Sequence, residues 1–488
     1  MKHLTPHVAA VSLLGAALAA APTPPVPPSV APAEKGDRPA VRPPSEGGTI
    51  PHVTFTVKEA AVPATYETQV ITAPAPTISL VFGNALAFAA DRLLVSGTVR
   101  VDQASDDGQM ASYQLADDRW VAALEMAQVH ALQPGDFVFQ RLAGGGNTVF
   151  ANVDRPGSQG GMVAVFEPAG NTWAQRGLIT LPAATPRPGF GSSISTDGKS
   201  VAIASVDLRY RANKGERQAN PEVFVYTKQD TGWVLDATVT APVLDGKARD
   251  ALWFGTSVAI SGDTLAVGVP STIPIRAHEE TPISGQAAVL VYRRVGQTWM
   301  LEGELLGNVV THLPSFGSQV ALEGDLLAVR AMTVTGATAA GRVWMYRRQG
   351  TAWTLEAELV PGKGMAPSRA YGGKLVINQG RVFVADTGAR AADEPEGGKP
   401  GCVFVFSYVN GVWQCTHRLS HLAPCGQGSF GTDMVAKWPW VAVSRVKNDR
   451  HENRAGGAYL YKLSDPVAPP AAAQPTSAQP VAAPPAAR

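Results

Sequence analysis

One stretch of seventeen residues, Phe254 to Pro270 (FGTSVAISGDTLAVGVP), keeps returning along this chain, and that return restricts the fold more than any other feature. Its aromatic–glycine pair recurs as Phe82-Gly83, Phe190-Gly191 and Phe316-Gly317, and in weaker copies as Tyr371-Gly372 and Phe430-Gly431. The most decayed copy falls within residues 135–153, which makes seven. Each copy runs on through a variable polar loop, often a glycine, an alternating run such as AVLVYRR (288–294), a turn, a tryptophan and a second alternating run such as MLEGELL (300–306). Trp120, Trp173, Trp233, Trp299, Trp353 and Trp413 are spaced by 53, 60, 66, 54 and 60 residues. Alternation with a period of two, and turn signals such as Ser-Gly-Asp-Thr and Val-Asn-Gly-Val, specify antiparallel hairpins rather than helices.

A repeat of about 60 residues built from four short strands marks a propeller blade. The expectation is therefore all-β: a seven-bladed β-propeller over residues 50–464. The first strand of each blade runs near the axis, where glycine permits close backbone approach and the aromatic before it wedges between sheets. Small side chains such as Ser257, Ala259 and Ser318 suit the taper. The recurring tryptophan is expected to cap the outer packing between blades, a burial of about 2–3 kcal/mol. The last blade has no tryptophan-led fourth strand after GGAYLYKL (456–463), whereas Tyr66 to Pro74 (YETQVITAP) resembles the fourth strand WVLDATVTAP at 233–242. The N-terminal segment is thus expected to complete the last blade and remove its exposed edge.

The ends read differently. Residues 1–19 form a signal peptide by pattern: Lys2, an apolar run from Val8 to Ala20, and Ala17-Leu18-Ala19 before the cut. Residues 20–49 form a Pro-rich linker and 465–488 a Pro/Ala-rich tail; 16 of the 23 residues from 466 on are Pro or Ala, too little apolar surface to offset ordering. Both are expected to be disordered. A bacterial secreted, periplasmic or cell-surface location follows from the leader, and no later apolar run reaches the roughly 18 residues of a membrane span. With 41 Lys and Arg against 40 Asp and Glu, and no basic stripe, nucleic acid is excluded as a partner; a monomer is expected.

The pattern F-G-x-S-V-A-I-S-G-D-T-L-A-V-G-x-P, followed by G-x-V-x-V-Y and G-x-x-W, resembles the FG-GAP repeat of integrin α-chain propellers, in its bacterial exported branch, over about residues 64–464. The resemblance implies a seven-bladed ring with a ligand surface on the face carrying the loops between second and third strands. It also implies a calcium loop between first and second strands, which needs several acids in one loop. That loop has collapsed here to Ser261-Gly262-Asp263-Thr264, Glu323-Gly324-Asp325-Leu326 or Thr196-Asp197-Gly198-Lys199, so no calcium is expected.

Two constellations carry residue types suited to chemistry. Cys415, His417, His421 and Cys425 have ligand types suited to zinc, but Trp413, Cys415 and His417 alternate on one face of a predicted strand; one disulfide involving Cys425, or free thiols with solvated histidines, are the other readings. The Gly-x-Thr-Trp of Gly170–Trp173 and Gly296–Trp299 matches half of a sialidase Asp-box, without its Ser-x-Asp half. Glycoside hydrolysis needs paired acids, and the first strands offer mainly Asp433. No catalytic residue, metal ligand or cofactor is assigned. Charge gathers instead between second and third strands, and Arg209, Arg211, Lys214, Arg276, His278, Glu279, Glu394, Glu396, Arg445, Lys447, Arg450 and His451 are the candidate ligand-binding residues. The expected function is a binding or adhesion module for a protein or glycan; the alternatives are an extracellular hydrolase or a structural envelope component on the same scaffold.

Overall fold

The structure is a computed structural model. It describes residues 62–465 except 73–78, 101–105, 124–126, 129–136, 155–160, 182–188, 207–220, 245–246, 249–252, 271–286, 308–314, 336–337, 363–364, 390–400, 423–427 and 448–455. The signal, linker and tail lie outside the described residues, as does most of each candidate loop.

All the described regular structure is β, apart from a single 3-10 residue at Trp253. Two short N-terminal strands, β1 (Ala64–Thr65) and β2 (Gln69–Thr72), precede the blades. Blade one carries β3 (Ser79–Ala89), β4 (Arg92–Arg100), β5 (Asp106–Ala116) and β6 (Arg119–Ala122), with β7 (Ala127–Gln128) also on β5. Blade two holds β8 (Phe137–Gly145), β9 (Thr148–Asp154), β10 (Met162–Ala169) and β11 (Thr172–Ile179). Blade three holds β12 (Phe190–Thr196), β13 (Ser200–Ser205), β14 (Glu222–Gln229) and β15 (Gly232–Thr240), trailed by the small hairpin of β16 (Val243–Leu244) and β17 (Lys247–Ala248). Blade four is β18 (Ser257–Ser261), β19 (Thr264–Val269), β20 (Ala288–Val295) and β21 (Thr298–Leu306). Blade five is β22 (Val320–Glu323), β23 (Leu326–Thr335), β24 (Thr338–Gln349) and β25 (Ala352–Leu359). Blade six is β26 (Tyr371–Asn378), β27 (Arg381–Asp386), β28 (Cys402–Val409) and β29 (Val412–Leu419). Blade seven supplies β30 (Gly428–Lys437), β31 (Trp440–Lys447) and β32 (Gly457–Lys462).

The fourth strand of blade seven is β2, antiparallel to β32 with Gln69 opposite Leu460 and Thr72 opposite Gly457. The ring therefore closes through its N-terminal segment, as the sequence predicts. The same segment does a second job: β1 lies parallel on the outer strand of blade six, Ala64 opposite Arg418 and Thr65 opposite Leu419. Between them Gln69 reaches into blade one, its side chain accepting the Trp120 amide at 2.9 Å and donating to the Trp120 carbonyl at 2.8 Å. One short stretch thus fastens blades six, seven and one.

The core consists of seven separate seams, each between neighbouring blades. The repeated aromatic explains this division. Phe190, Phe254, Phe316, Tyr371 and Phe430 are each buried in the seam toward the preceding blade, and Phe82 fills the seam between blades seven and one. The glycine after it turns the chain with a positive φ, from 77° to 87° in six blades, a conformation that glycine adopts without steric cost. At Gly83 there is also no room, because a Cβ there would lie 2.7 Å from the carbonyl oxygen of Gly457 in blade seven. Blade two has Phe139 in that place, which is why its copy looks the most decayed.

The outer seams are latched by a recurring arrangement. In blades two to six the pairing of third and fourth strands skips one residue, always three after the tryptophan: Arg176, Asp236, Glu302, Glu356 and Thr416. Such a bulge re-aims the extra side chain. Where that residue is an acid, it accepts the indole N–H of the next blade: Trp299 to Asp236 at 3.1 Å, Trp353 to Glu302 at 3.2 Å and Trp413 to Glu356 at 2.9 Å. Arg294 pairs with Asp236 and Arg348 with Glu302, at 3.1 and 2.6 Å. In the N-terminal strand the link to the next blade is made differently, since Gln69 stays paired with Leu460 and bonds the backbone of Trp120 rather than an indole.

Candidate functional site

Successive strands of a blade run antiparallel, so the connections between blades and those between second and third strands leave from the same end of the ring. In blade three Phe190, Ser205, Glu222 and Thr240 form one row at that end; in blade seven the row is Thr72, Gly457, Arg445 and Phe430. Immediately inward of these rows all seven blades contribute to one cavity of about 440 Å³ at the mouth of the central channel.

Local strand geometry builds this cup. After the aromatic, the innermost strand shifts register, between Phe82 and Leu86 in blade one and between Phe430 and Met434 in blade seven, for example. The shift presents the third and fourth residues of each copy to the mouth. The third are polar in six blades: Asn84, Gln140, Ser192, Thr256, Ser318 and Thr432. The fourth supply Arg141, Ser193, Gln319, Lys374 and Asp433. Amides displaced by the bulge find side-chain acceptors on the second strand: Ala85 on Ser96 Oγ at 2.9 Å, Arg141 on Asn152 Oδ1 at 2.6 Å and Asp433 on Ser444 Oγ at 2.7 Å. Register places Arg330 at the corresponding point of blade five. Its guanidinium donates to the carbonyls of Tyr371 at 3.1 Å and Arg369 at 3.0 Å and to Ser318 Oγ at 3.3 Å. Burial holds its pKa below the ordinary arginine value, partly offset by Asp386 nearby.

Asp433 is the one carboxylate among the described lining residues, and both its oxygens are engaged. Oδ1 pairs with Lys374 Nζ at 2.6 Å, and Oδ2 accepts the Leu86 amide of blade one at 2.8 Å. Ser193 similarly accepts the Val258 amide of the next blade at 3.1 Å. The cup is thus a cationic, hydroxyl- and amide-rich ring with Arg141 exposed on its wall. None of its described lining residues is aromatic.

Of the residues expected to bind ligand, the structure describes two. Arg445 is buried, 9% exposed, with its guanidinium donating to the Tyr459 hydroxyl at 3.3 Å. Lys447 closes β31 opposite Gly428. Arg209, Arg211, Lys214, Arg276, His278, Glu279, Glu394, Glu396, Arg450 and His451 lie outside the described residues. Of the cup residues, Asp433 and Ser318 are singled out by the sequence, the latter only for its size; the others emerge when the seven copies are superposed and the third and fourth columns are read.

At the opposite end, the acids of the first turns are structural staples. Asp197 accepts the amides of Lys199, Ser200 and, across the seam, Gly262, while Glu323 accepts those of Gln379 and Gly380. The Cys415–His417 alternation expected from sequence breaks at the Thr416 bulge, since Cys415 pairs with Phe406 and His417 with Val405. Burial raises the Cys415 thiol pKa to about 12 and lowers that of His417. His421 packs on the rings of Phe430 and Tyr459, and Cys425 lies outside the described residues. Among the described residues no three His, Cys, Asp or Glu side chains are placed to hold a metal.

No family model matches the chain. None of the curated proteins matches it. Among solved structures it is similar to the hydrazine synthase of Kuenenia stuttgartiensis, at 11% identity over 82% of this chain and 99% of that one, with a TM-score of 0.45. The β-propeller domain of the Trilobed protease from Pyrococcus furiosus is similar at 11% identity, over 79% of this chain and 98% of that domain, with a TM-score of 0.42. A prolyl endopeptidase is similar at 11% identity and a TM-score of 0.43, over 75% of this chain, which spans 45% of that enzyme's length. These are likenesses of architecture.

Proposed function

We propose that this propeller is an exported binding module of FG-GAP type that captures a protein or glycan partner at the end of the ring where the cup opens. One observation carries the reading: the polar cup, built by all seven blades, lies at the end from which the charged connections of 207–220, 271–286, 390–400 and 448–455 depart. A rigid ring presenting variable polar segments around a concave centre is a common recognition arrangement. The engagement of both Asp433 oxygens supports binding over hydrolysis as the role of the cup, since glycoside hydrolysis requires two available carboxyl groups.

The test is capture of envelope or matrix components by the immobilised full chain. A chain carrying Arg209→Glu, Arg211→Glu and Lys214→Glu is expected to lose at least tenfold of the captured partner, while Asp230→Lys, in a turn at the opposite end, keeps it. The reverse pattern would overturn the reading.

A further inference from the structure

We propose that the cup binds an anionic sugar unit, a hexose framework bearing a carboxylate or a phosphate. The inference deepens the binding reading above and rests on it. Charge comes first: Arg141, Arg330 and Lys374 face the cavity against the single carboxylate of Asp433. Lys374 and Asp433 offset each other at 2.6 Å and Asp386 lies near Arg330, so among the described residues three cationic groups stand against two carboxylates where seven blades converge. A concave site with low-dielectric walls concentrates that field and draws in an anion.

The cationic groups also differ in how they are held. Arg330 is fixed by two carbonyls and the Ser318 hydroxyl, so its charge is oriented before a ligand arrives. Arg141 sits exposed across the cavity, and a guanidinium can meet a carboxylate or phosphate with two parallel N–H bonds.

The rest of the lining selects what carries the anion. Asn84, Gln140, Gln319 and Thr432 supply amides and a hydroxyl, groups that both donate and accept, as the hydroxyls of a sugar require, while Ser192 and Thr256, which donate to the carbonyls of Ala204 and Trp253, offer an acceptor oxygen. With no aromatic ring among the described lining residues, the described cup offers no surface on which a nucleobase would stack. Its volume of about 440 Å³ sits low in the roughly 300–1,000 Å³ range of small-molecule sites, which suits one or two sugar rings rather than a long chain.

The experiment is isothermal titration calorimetry of the full chain at low ionic strength with glucuronate, glucose 6-phosphate, glucose and inorganic phosphate. Glucuronate or glucose 6-phosphate is expected to bind at least tenfold more tightly than glucose and than inorganic phosphate, and whichever of the two binds identifies the anionic group. Arg141→Gln is expected to weaken that binding about tenfold without moving the thermal midpoint, and Thr256→Val to weaken it about tenfold with a lowered midpoint, because it also removes the bond to the Trp253 carbonyl at 2.8 Å. Equal binding of glucose, equal binding of inorganic phosphate, no binding of either anionic sugar, or unchanged affinity in Arg141→Gln would overturn the proposal. Such a failure leaves the capture experiment standing, because that one is read through the outer segments and not through the cup.

Discussion

Asp433 Oδ2 accepts the Leu86 amide at 2.8 Å, tying the innermost strand of the last blade to that of the first. Its other oxygen holds Lys374, so a single carboxylate serves three blades. Asp433→Ala leaves a buried amide and a lysine without their acceptor and is expected to cost about 2–4 kcal/mol. Asp433→Asn keeps one acceptor and should lose roughly half as much. Urea denaturation measures both, and an unchanged midpoint for Asp433→Ala would refute the tie.

The latch between blades four and five yields a second expectation. Glu302 receives both the Trp353 indole and the Arg348 guanidinium while its side chain is almost wholly buried. In a double-mutant cycle, Glu302→Gln and Trp353→Phe should couple by about 1 kcal/mol. Additive losses would mean that the bulge aims the acid to no energetic effect.

Closure of the ring can be probed by one side chain. Gln69→Leu removes both hydrogen bonds to the Trp120 backbone and is expected to cost about 1–2 kcal/mol. Removing residues 50–75 should lower the thermal midpoint sharply and expose the edge of β32, so that the shortened chain self-associates on size-exclusion chromatography. A monomer with an unaltered midpoint would refute the closure.

His417 gives a dependence on pH. Burial chiefly, with Arg381 nearby, lowers its pKa from the ordinary value of 6.5, against a hydrogen bond donated by the ring to the Ser464 backbone and the charge of Asp465. The unfolded chain therefore binds the proton first as pH falls, and stability should decline below about pH 6.5 until the folded imidazole also titrates. His417→Gln should flatten this part of the profile, as followed by urea midpoints at several pH values.

Much of the architecture could be read in the chain because its signal repeats. The Phe-Gly pairs, the evenly spaced tryptophans and the orphan strand near Tyr66 all depend on backbone periodicity, which sequence displays directly. The latch was half visible: Trp353 stood out, but Glu302 needed the bulge, a register event that leaves no mark in composition. The same kind of shift at Thr416 broke the alternation predicted for Cys415 and His417. At the site, Arg445 looked like a surface charge in RVKNDRHENR, yet it is turned inward against Tyr459 by its place in the row. Residues such as Arg141 and Gln319 carried no local motif; only their shared column around the axis gives them meaning.

The staple made by β1 and β2 also fixes an order of events during synthesis. Thr68 Oγ1 accepts the Lys462 amide across 394 residues, so a strand made before all seven blades meets its partner only when blade seven emerges. Until then six blades can stack on one another while the circle stays open, and a late truncation or stall would leave an arc with two sticky ends. Closure of the circle thereby reports that the strands of blade seven have been made.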